Sequence, residues 1–125
     1  MTSVIAVVDD DPRVLESLAN LLESAGHAVR LFPSAAALLK SCAFAEMDCL
    51  ISDISMPVMD GFELQRLAHV ARPELPVILI TGHELPDQAT AASRGSQGFF
   101  RKPFNGQELL TAVSKALSNP SHRNM

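Results

Sequence analysis

The feature that most constrains the fold of this chain is a regular alternation of short apolar runs with amphipathic helical patterns. Three runs are continuous and rich in valine and isoleucine, which is typical of strands buried on both faces of a parallel sheet. They are Val4–Val8, residues 49–51 and residues 77–80. Two runs with polar interruptions or polar neighbours, Ala28–Phe32 and residues 98–100, are typical of strands at the edges of such a sheet.

A helix-capping side chain stands shortly after four of the five runs. Side chains of this kind accept hydrogen bonds from the free amide groups of a helix's first turn. The four capping residues are Asp11, Ser34, Asp60 and Asn105. Pro12 at the first helical position and Gly26 after the last apolar residue strengthen the signal for the first helix. A further helix near residues 86–94 is Ala-rich and is predicted to be short and loosely packed.

Strand and helix signals therefore alternate five times along the chain. Parallel strands joined by right-handed crossovers place helices on both faces of one sheet. The strand order 2-1-3-4-5 puts the three apolar strands in the centre and the two polar ones at the edges. We predict an α/β fold, a doubly wound (βα)5 domain with a five-stranded parallel sheet.

Length and composition exclude several classes of protein. The chain has 125 residues, the size of one domain with a single core. Its net charge is −4 and no basic run exceeds two residues, so nucleic-acid binding is not expected. The run Val4–Val8 ends at three consecutive aspartates, which argues against a signal peptide or a membrane span. Cys42 and Cys49 have no partner at disulfide or zinc spacing, so we expect a cytoplasmic protein.

Polar side chains stand where the predicted strands end. They are Asp9 and Asp10 after the first strand, Asp53 after the third, Thr81 after the fourth and Lys102 after the fifth. In open α/β sheets the ligand site lies beyond the carboxyl ends of the strands, where the strand order reverses. We therefore expect three carboxylates, one hydroxyl and one ammonium group to converge there. Asp48, at a strand start, and Asp60, at a helix cap, are expected to be structural.

Three converging carboxylates predict a cation among them, because like charges otherwise raise one another's pKa values. Oxygen ligands at a shallow, solvated site favour Mg²⁺, which readily takes a phosphate group as a further ligand. A lysine and a hydroxyl opposite the metal suit the remaining oxygens of a phosphoryl group. A carboxylate can itself be the nucleophile that receives such a group. The pattern therefore indicates a site where a phosphoryl group meets a carboxylate.

Four motifs at the predicted strand ends resemble the receiver domain of two-component response regulators, and in particular its FixJ-type branch. The motifs are Val8-Asp9-Asp10-Asp11-Pro12, Asp53 followed by Met56-Pro57-Val58-Met59-Asp60-Gly61, Ile80-Thr81-Gly82-His83, and Lys102-Pro103-Phe104. The resemblance covers about residues 3–118, nearly the whole chain. It implies a CheY-like, flavodoxin-like receiver domain over residues 1–118, with residues 119–125 as a polar tail or the start of a linker.

By this resemblance, Asp53 is the phosphoacceptor and takes a phosphoryl group from a phosphohistidine of a cognate sensor histidine kinase. The implied Mg²⁺ ligands are Asp10 directly, Asp9 largely through water, Asp53 itself, and the backbone carbonyl of Ser55. The domain is therefore expected to be an autocatalytic phosphoacceptor switch rather than a turnover enzyme.

The resemblance also assigns the groups that respond to phosphorylation. Thr81 is expected to hydrogen-bond the phosphoryl group, and Lys102 is expected to pair with it. Phe99 matches the switch aromatic of the family, which turns inward when Thr81 moves. The peptide bond between Lys102 and Pro103 is expected to be cis.

The output of the switch is expected on one face, formed by the predicted helix near residues 86–94, the fifth strand and the last helix. Phosphorylation is expected to favour a homodimer through this face and to control transcription through a domain absent from this chain. No nucleic acid or membrane is expected to bind the domain itself. Ser55 and His83 occupy positions where the family tunes the lifetime of the phosphorylated form.

Three other functions remain open on the sequence. A metal-dependent phosphohydrolase would use the same acids, although Ser55 stands where its general acid would be. A flavodoxin-like cofactor binder would need a phosphate-binding loop after the first strand, and the sequence shows no such loop. A degenerate receiver would serve only as a docking module, although all five site residues are present.

Overall fold

The computed structural model describes residues 2–41, 43–82 and 98–118. Its strands are β1 (Val4–Val8), β2 (Ala28–Phe32), β3 (Cys49–Asp53), β4 (Val77–Thr81) and β5 (Gly98–Arg101). All five are parallel and form one sheet in the order β2-β1-β3-β4-β5. The predicted strand order, with the three apolar strands in the centre, is therefore confirmed.

The helices of the described residues begin at the predicted caps. They are α1 (Pro12–Ser24), α2 (Ala35–Ser41), α3 (Gly61–Ala71) and α4 (Gly106–Leu117), with a 3₁₀ helix at Ala43–Glu46. Each capping side chain accepts a hydrogen bond from a first-turn amide: Asp11 from Arg13, Ser34 from Ala37, Asp60 from Glu63 and Asn105 from Glu108. None of these helices is long and apolar enough to cross a membrane. The helix predicted near residues 86–94 and the predicted tail over residues 119–125 lie outside the described residues.

The core has two layers, one on each face of the sheet. Every residue of β3 and β4 is buried, and their side chains alternate between the layers because successive strand residues point to opposite faces. Leu50 packs in the layer formed with α2 and α3, whereas its neighbour Ile51 packs in the layer formed with α1 and α4. The carboxyl edge of the sheet, where β1, β3 and β4 end, is therefore supported from both faces.

The end of β3 differs from the apolar pattern that predicted it. The apolar run covers residues 49–51, but the strand continues through Ser52 and Asp53, since Asp53 still pairs with Ile80 of β4. A polar side chain does not interrupt backbone pairing, so hydrophobic patterning ends the strand too early. Asp53 is therefore part of the sheet rather than of the loop that follows.

Candidate functional site

Two buried carboxylates meet at the carboxyl edge of the sheet. Asp9 directly follows β1, and Asp53 is the last residue of the neighbouring strand β3. Asp9 is 0% exposed and Asp53 is 3% exposed, whereas Asp10 lies on the surface. One carboxylate oxygen from each of these three residues lies within 4.8 Å of the other two. The structure thus brings together the three acids expected at this edge.

Lys102 supplies the positive charge of this acidic cluster. Its Nζ atom lies 2.8 Å from Asp9 Oδ2 and 3.4 Å from Asp53 Oδ1. Its backbone amide donates a hydrogen bond of 2.6 Å to the carbonyl of Thr81, which attaches the segment after β5 to the end of β4. The peptide bond between Lys102 and Pro103 is cis. The lysine therefore bridges the two buried carboxylates.

The charges of the cluster are strongly coupled. Burial raises the pKa of the Asp53 carboxyl to about 6, the negative charge of Asp9 adds to the increase, and Lys102 opposes it. Burial alone would lower the pKa of Lys102, but its contacts with Asp9 and Asp53 outweigh burial and raise it. Repulsion between acids was the expected cause of a raised pKa, and burial proves to be the larger one. Asp53 is therefore harder to ionise than an ordinary aspartate, in spite of the lysine beside it.

The oxygen atoms of the cluster fit a hard divalent cation. Asp9 Oδ2 and Asp53 Oδ1 are buried, and both face the same ammonium group, that of Lys102. Asp9 Oδ1, by contrast, accepts a hydrogen bond of 2.9 Å from the amide of Asp11. Two buried carboxylates beside a single ammonium group leave excess negative charge, which is costly unless a further cation approaches them. Since carboxylates are the ligands that Mg²⁺ prefers, the chemistry of this set suits that ion.

Of the other predicted residues, Thr81, Phe99 and Ser55 lie in the described part of the chain. Thr81 ends β4 and is 1% exposed. Phe99 lies opposite Leu79 of β4 and is half-buried in the layer of α2 and α3. Because Leu79 precedes Thr81 by two residues, Thr81 and Phe99 share one face of the sheet. Ser55 is half-buried in the loop after β3, and His83 lies outside the described residues.

Comparison with known protein families agrees with this arrangement. The family model described as the response regulator receiver domain matches residues 5–114, most of the chain. The chain belongs to the response regulator receiver domain family. Phosphoryl transfer is typical of this family, and receiver domains bind Mg²⁺ at an acidic pocket.

Curated relatives of this receiver domain are response regulators. It is 41% identical over 116 residues to the response regulator protein TmoT of Ectopseudomonas mendocina, in a match that covers 92% of this chain and 53% of TmoT. It is 35% identical over 114 residues to the transcriptional regulatory protein FixJ of Bradyrhizobium diazoefficiens, covering 90% of this chain and 56% of FixJ. The receiver chain therefore spans about half the length of these curated relatives.

Solved structures confirm the predicted CheY-like fold. A response regulator receiver domain protein from Clostridium thermocellum matches this receiver domain with a TM-score of 0.87 and 29% identity, covering 93% of this chain and 94% of that one. A CheY-like receiver domain protein from Methanospirillum hungatei JF-1 matches with a TM-score of 0.87 and 26% identity over all of both chains.

Two residues that shape the receiver site have roles that sequence reasoning does not predict. Ser52 is 0% exposed and its Oγ atom donates a hydrogen bond of 2.9 Å to the carbonyl of Asp53. Gly61 begins α3 so close to β3 that a Cβ atom there would lie 2.5 Å from the same carbonyl oxygen. The signals that point to them are a hydroxyl residue inside a buried strand and a glycine directly after the capping Asp60.

Proposed function

We propose that this receiver domain is a phosphoacceptor switch in which Asp53 receives a phosphoryl group from a phosphohistidine of a cognate sensor histidine kinase. The observation that carries the proposal is the Asp53 carboxylate, which is 3% exposed and has Lys102 Nζ 3.4 Å from its Oδ1 atom. A fixed cation beside a buried nucleophile stabilises the charge of the phosphoryl oxygens during transfer.

In the proposed transfer, an oxygen of Asp53 forms a bond to phosphorus as the phosphorus–nitrogen bond of phosphohistidine breaks. The electron pair of the broken bond stays on the imidazole nitrogen of the kinase, and the product on this chain is an acyl phosphate. The Lys102 ammonium pairs with the phosphoryl oxygens, and the Thr81 hydroxyl hydrogen-bonds one of them. The domain acts on itself and keeps its product, so it is a switch rather than a turnover enzyme.

We assign the Mg²⁺ ligands as Asp10 directly, Asp9 largely through water, Asp53 and the backbone carbonyl of Ser55. The excess negative charge of three carboxylates within 4.8 Å of one another, with one ammonium group beside them, supports this assignment. When bound, the ion supplies positive charge that stabilises the phosphoryl oxygens. Asp9 also forms an ion pair with the Lys102 ammonium over 2.8 Å, and this contact holds the cation next to the nucleophile.

The proposed response runs from Thr81 to Phe99, which share one face of the sheet. Movement of Thr81 toward the phosphoryl group leaves space for Phe99 to turn inward, and this biases an existing equilibrium between two conformations. The output face consists of the helix predicted near residues 86–94, β5 and α4, and is the candidate surface for a homodimer. Ser55 and His83 are proposed to tune how long the phosphorylated form lasts.

We propose further that residues 1–118 form the receiver domain of a longer, cytoplasmic protein that controls transcription. The family match over residues 5–114 and the end of α4 at Leu117 support the domain boundary. The name of the relative FixJ, a transcriptional regulatory protein, supports the role in transcription. Residues 119–125 are then a polar tail or the start of the linker to the output domain.

Intact-mass analysis after incubation with acetyl phosphate, with and without Mg²⁺, tests the proposal. We expect one phosphoryl adduct that requires Mg²⁺, is labile to hydroxylamine, and is absent from Asp53→Asn. The matched control is Asp48→Asn, which changes a carboxylate at the opposite edge of the sheet and should accept the phosphoryl group normally.

A normally phosphorylated Asp53→Asn protein would contradict the assignment of the phosphoacceptor. If the wild type formed no adduct with acetyl phosphate or with a phosphohistidine donor, the docking-module alternative would be favoured instead.

A further inference from the structure

Ser52 is a hydroxyl residue at a position that lies within the apolar core. It is 0% exposed and pairs with Val8 of β1 on one side and Leu79 of β4 on the other. Both neighbours belong to the apolar layer beneath α2 and α3. A hydroxyl in such surroundings costs free energy unless it forms a hydrogen bond. Ser52 forms one with the backbone carbonyl of Asp53, over 2.9 Å.

The peptide group between Asp53 and Ile54 is held at both ends. Its carbonyl oxygen accepts the hydrogen bond from Ser52, and its N–H donates a hydrogen bond of 2.8 Å to the carbonyl of Ile80. Gly61 lies against the same group, since a Cβ atom there would be 2.5 Å from the Asp53 oxygen and 2.9 Å from Ile54 Cα. The Gly61 amide also donates a hydrogen bond of 2.9 Å to the Ile54 carbonyl. A larger residue at Gly61 would displace either this peptide or the start of α3.

The direction of the Asp53 carboxylate depends on this peptide group. The contact of Asp53 Oδ1 with Lys102 Nζ is long, at 3.4 Å, and by itself holds the carboxylate only weakly. Rotation of the peptide would turn the Asp53 side chain and displace the backbone of Ser55. Because phosphoryl transfer needs the nucleophile and the phosphorus atom in line, small misplacements slow the reaction strongly.

We propose that Ser52 is a positioning residue for phosphoryl transfer: its hydroxyl fixes the peptide group after Asp53, and the absent side chain of Gly61 leaves room for this contact. The proposal rests on the proposed function, since it concerns the reactivity of Asp53. Ser52 thereby affects the rate of phosphorylation more than the stability of the fold. Its replacement should slow the reaction while the protein stays folded.

The rate of phosphorylation by acetyl phosphate at saturating Mg²⁺ tests this role. The variants are Ser52→Ala, Ser52→Val, Ser52→Thr and Ser41→Ala. Thr and Val have the same shape, and Thr alone retains the hydroxyl. The Ser41→Ala control removes a hydroxyl that donates to the Leu38 carbonyl over 2.6 Å in α2. We expect the Ala and Val variants of Ser52 to react about tenfold more slowly, and the other two to react like the wild type.

Amide hydrogen exchange in the absence of phosphate donor gives a second readout. Loss of the Ser52 hydroxyl should lower the protection of the Ile54 and Gly61 amides against exchange, because both amides form hydrogen bonds next to the peptide group that Ser52 contacts. The Leu50 amide, which donates to the Pro76 carbonyl at the start of β3, should keep its protection. A general loss of stability would instead lower the protection of all three.

Several outcomes would overturn the role of Ser52. They are a wild-type rate in Ser52→Ala, an equal slowing in Ser41→Ala, and a folded Ser52→Thr protein that reacts as slowly as Ser52→Val. If the added bulk unfolds both the Thr and Val variants, the rate and exchange of Ser52→Ala decide. If the wild type itself takes no phosphoryl group, the proposed function fails, and the exchange pattern alone shows whether Ser52 holds the peptide.

Discussion

The two edges of the sheet use charged side chains in different ways. At the amino edge, the Asp48 carboxylate accepts a hydrogen bond of 2.7 Å from the amide of Val4. At the same edge, the Arg72 guanidinium donates hydrogen bonds of 2.6 Å to the carbonyls of Phe44 and Met47. These contacts connect the start of β1 to β3 and the end of α3 to the 3₁₀ helix. The charges of this edge therefore hold elements together.

At the carboxyl edge, the buried carboxylates of Asp9 and Asp53 share one ammonium group, that of Lys102. Burial and repulsion raise the pKa of Asp53 to about 6. This edge therefore contains charge that is costly in the protein alone and favourable once a cation or a phosphoryl group binds. The comparison teaches that an aspartate stabilises the fold where it has its own hydrogen-bond donor, and forms a binding site where several buried carboxylates share one cation.

Removal of the Arg72 side chain should have the largest effect on stability. Arg72→Ala leaves the Phe44 and Met47 carbonyls without this donor, which should lower the free energy of unfolding by about 2–4 kcal/mol. The measurement is urea unfolding followed by far-UV circular dichroism, because the chain contains neither Trp nor Tyr. Phosphorylation of Asp53 should continue at the wild-type rate wherever the variant is folded.

The control for Arg72→Ala is Arg66→Ala, which removes an exposed arginine that pairs with Glu63 on the surface of α3. It should cost less than about 0.5 kcal/mol, as is usual for exposed ion pairs. Equal losses in the two variants would show that the amino edge does not depend on the carbonyl contacts of Arg72.

Neutralisation of Asp53 should increase the free energy of unfolding, whereas loss of the Arg72 side chain should lower it. Its pKa rises from the ordinary value of 3.8 to about 6 in the folded protein, so between these values the unfolded chain loses a proton that the folded protein keeps. The stability of the wild type should therefore fall as pH rises through this range. Above pH 6 the destabilisation caused by the Asp53 charge should reach its full size. Asp53→Asn should raise the free energy of unfolding by about 1–3 kcal/mol at neutral pH without metal.

Urea unfolding in a chelator, at several pH values, measures this difference. The gain of Asp53→Asn should disappear below about pH 4, where the carboxyl is protonated in both states. Asp10→Asn is the control, because Asp10 is exposed and contributes least among the causes of the Asp53 shift. The contrast between the two edges would be wrong if the increase in unfolding free energy did not depend on pH. It would also be wrong if Asp53→Asn were less stable than the wild type at neutral pH.

The smallest effect is expected from Asp48. Asp48→Ala leaves the Val4 amide without its carboxylate acceptor and should cost about 1 kcal/mol. Asp48→Asn keeps a side-chain oxygen that can accept the same hydrogen bond and should cost less. Thermal unfolding of the three proteins at neutral pH compares them. An increase in stability for Asp48→Ala would mean that this carboxylate resembles Asp53 rather than a structural group.

Local patterns predicted much of the candidate site. Asp9 and Thr81 directly follow continuous apolar runs and Asp53 follows one after Ser52, so their shared edge follows from the parallel order of the strands. Position along the chain does not predict which carboxylate Lys102 approaches most closely. The pairing of Lys102 with a phosphoryl group stays a prediction; in the structure its ammonium lies nearer to Asp9 than to Asp53. Ser52 was likewise absent from the predicted site, because a sequence pattern does not show that its hydroxyl points to the carbonyl of the next residue.

The sequence by itself determined the alternation of strands and helices, the central and edge strands, the helix caps and the set of polar residues at the carboxyl edge. These properties depend on neighbours along the chain, through side-chain periodicity and local hydrogen bonding. Only the tertiary structure decided the raised pKa of Asp53, its shared lysine, and the close approach of Gly61 to its carbonyl. Burial and charge interactions depend on distances in space, and these groups come from segments that only folding brings together.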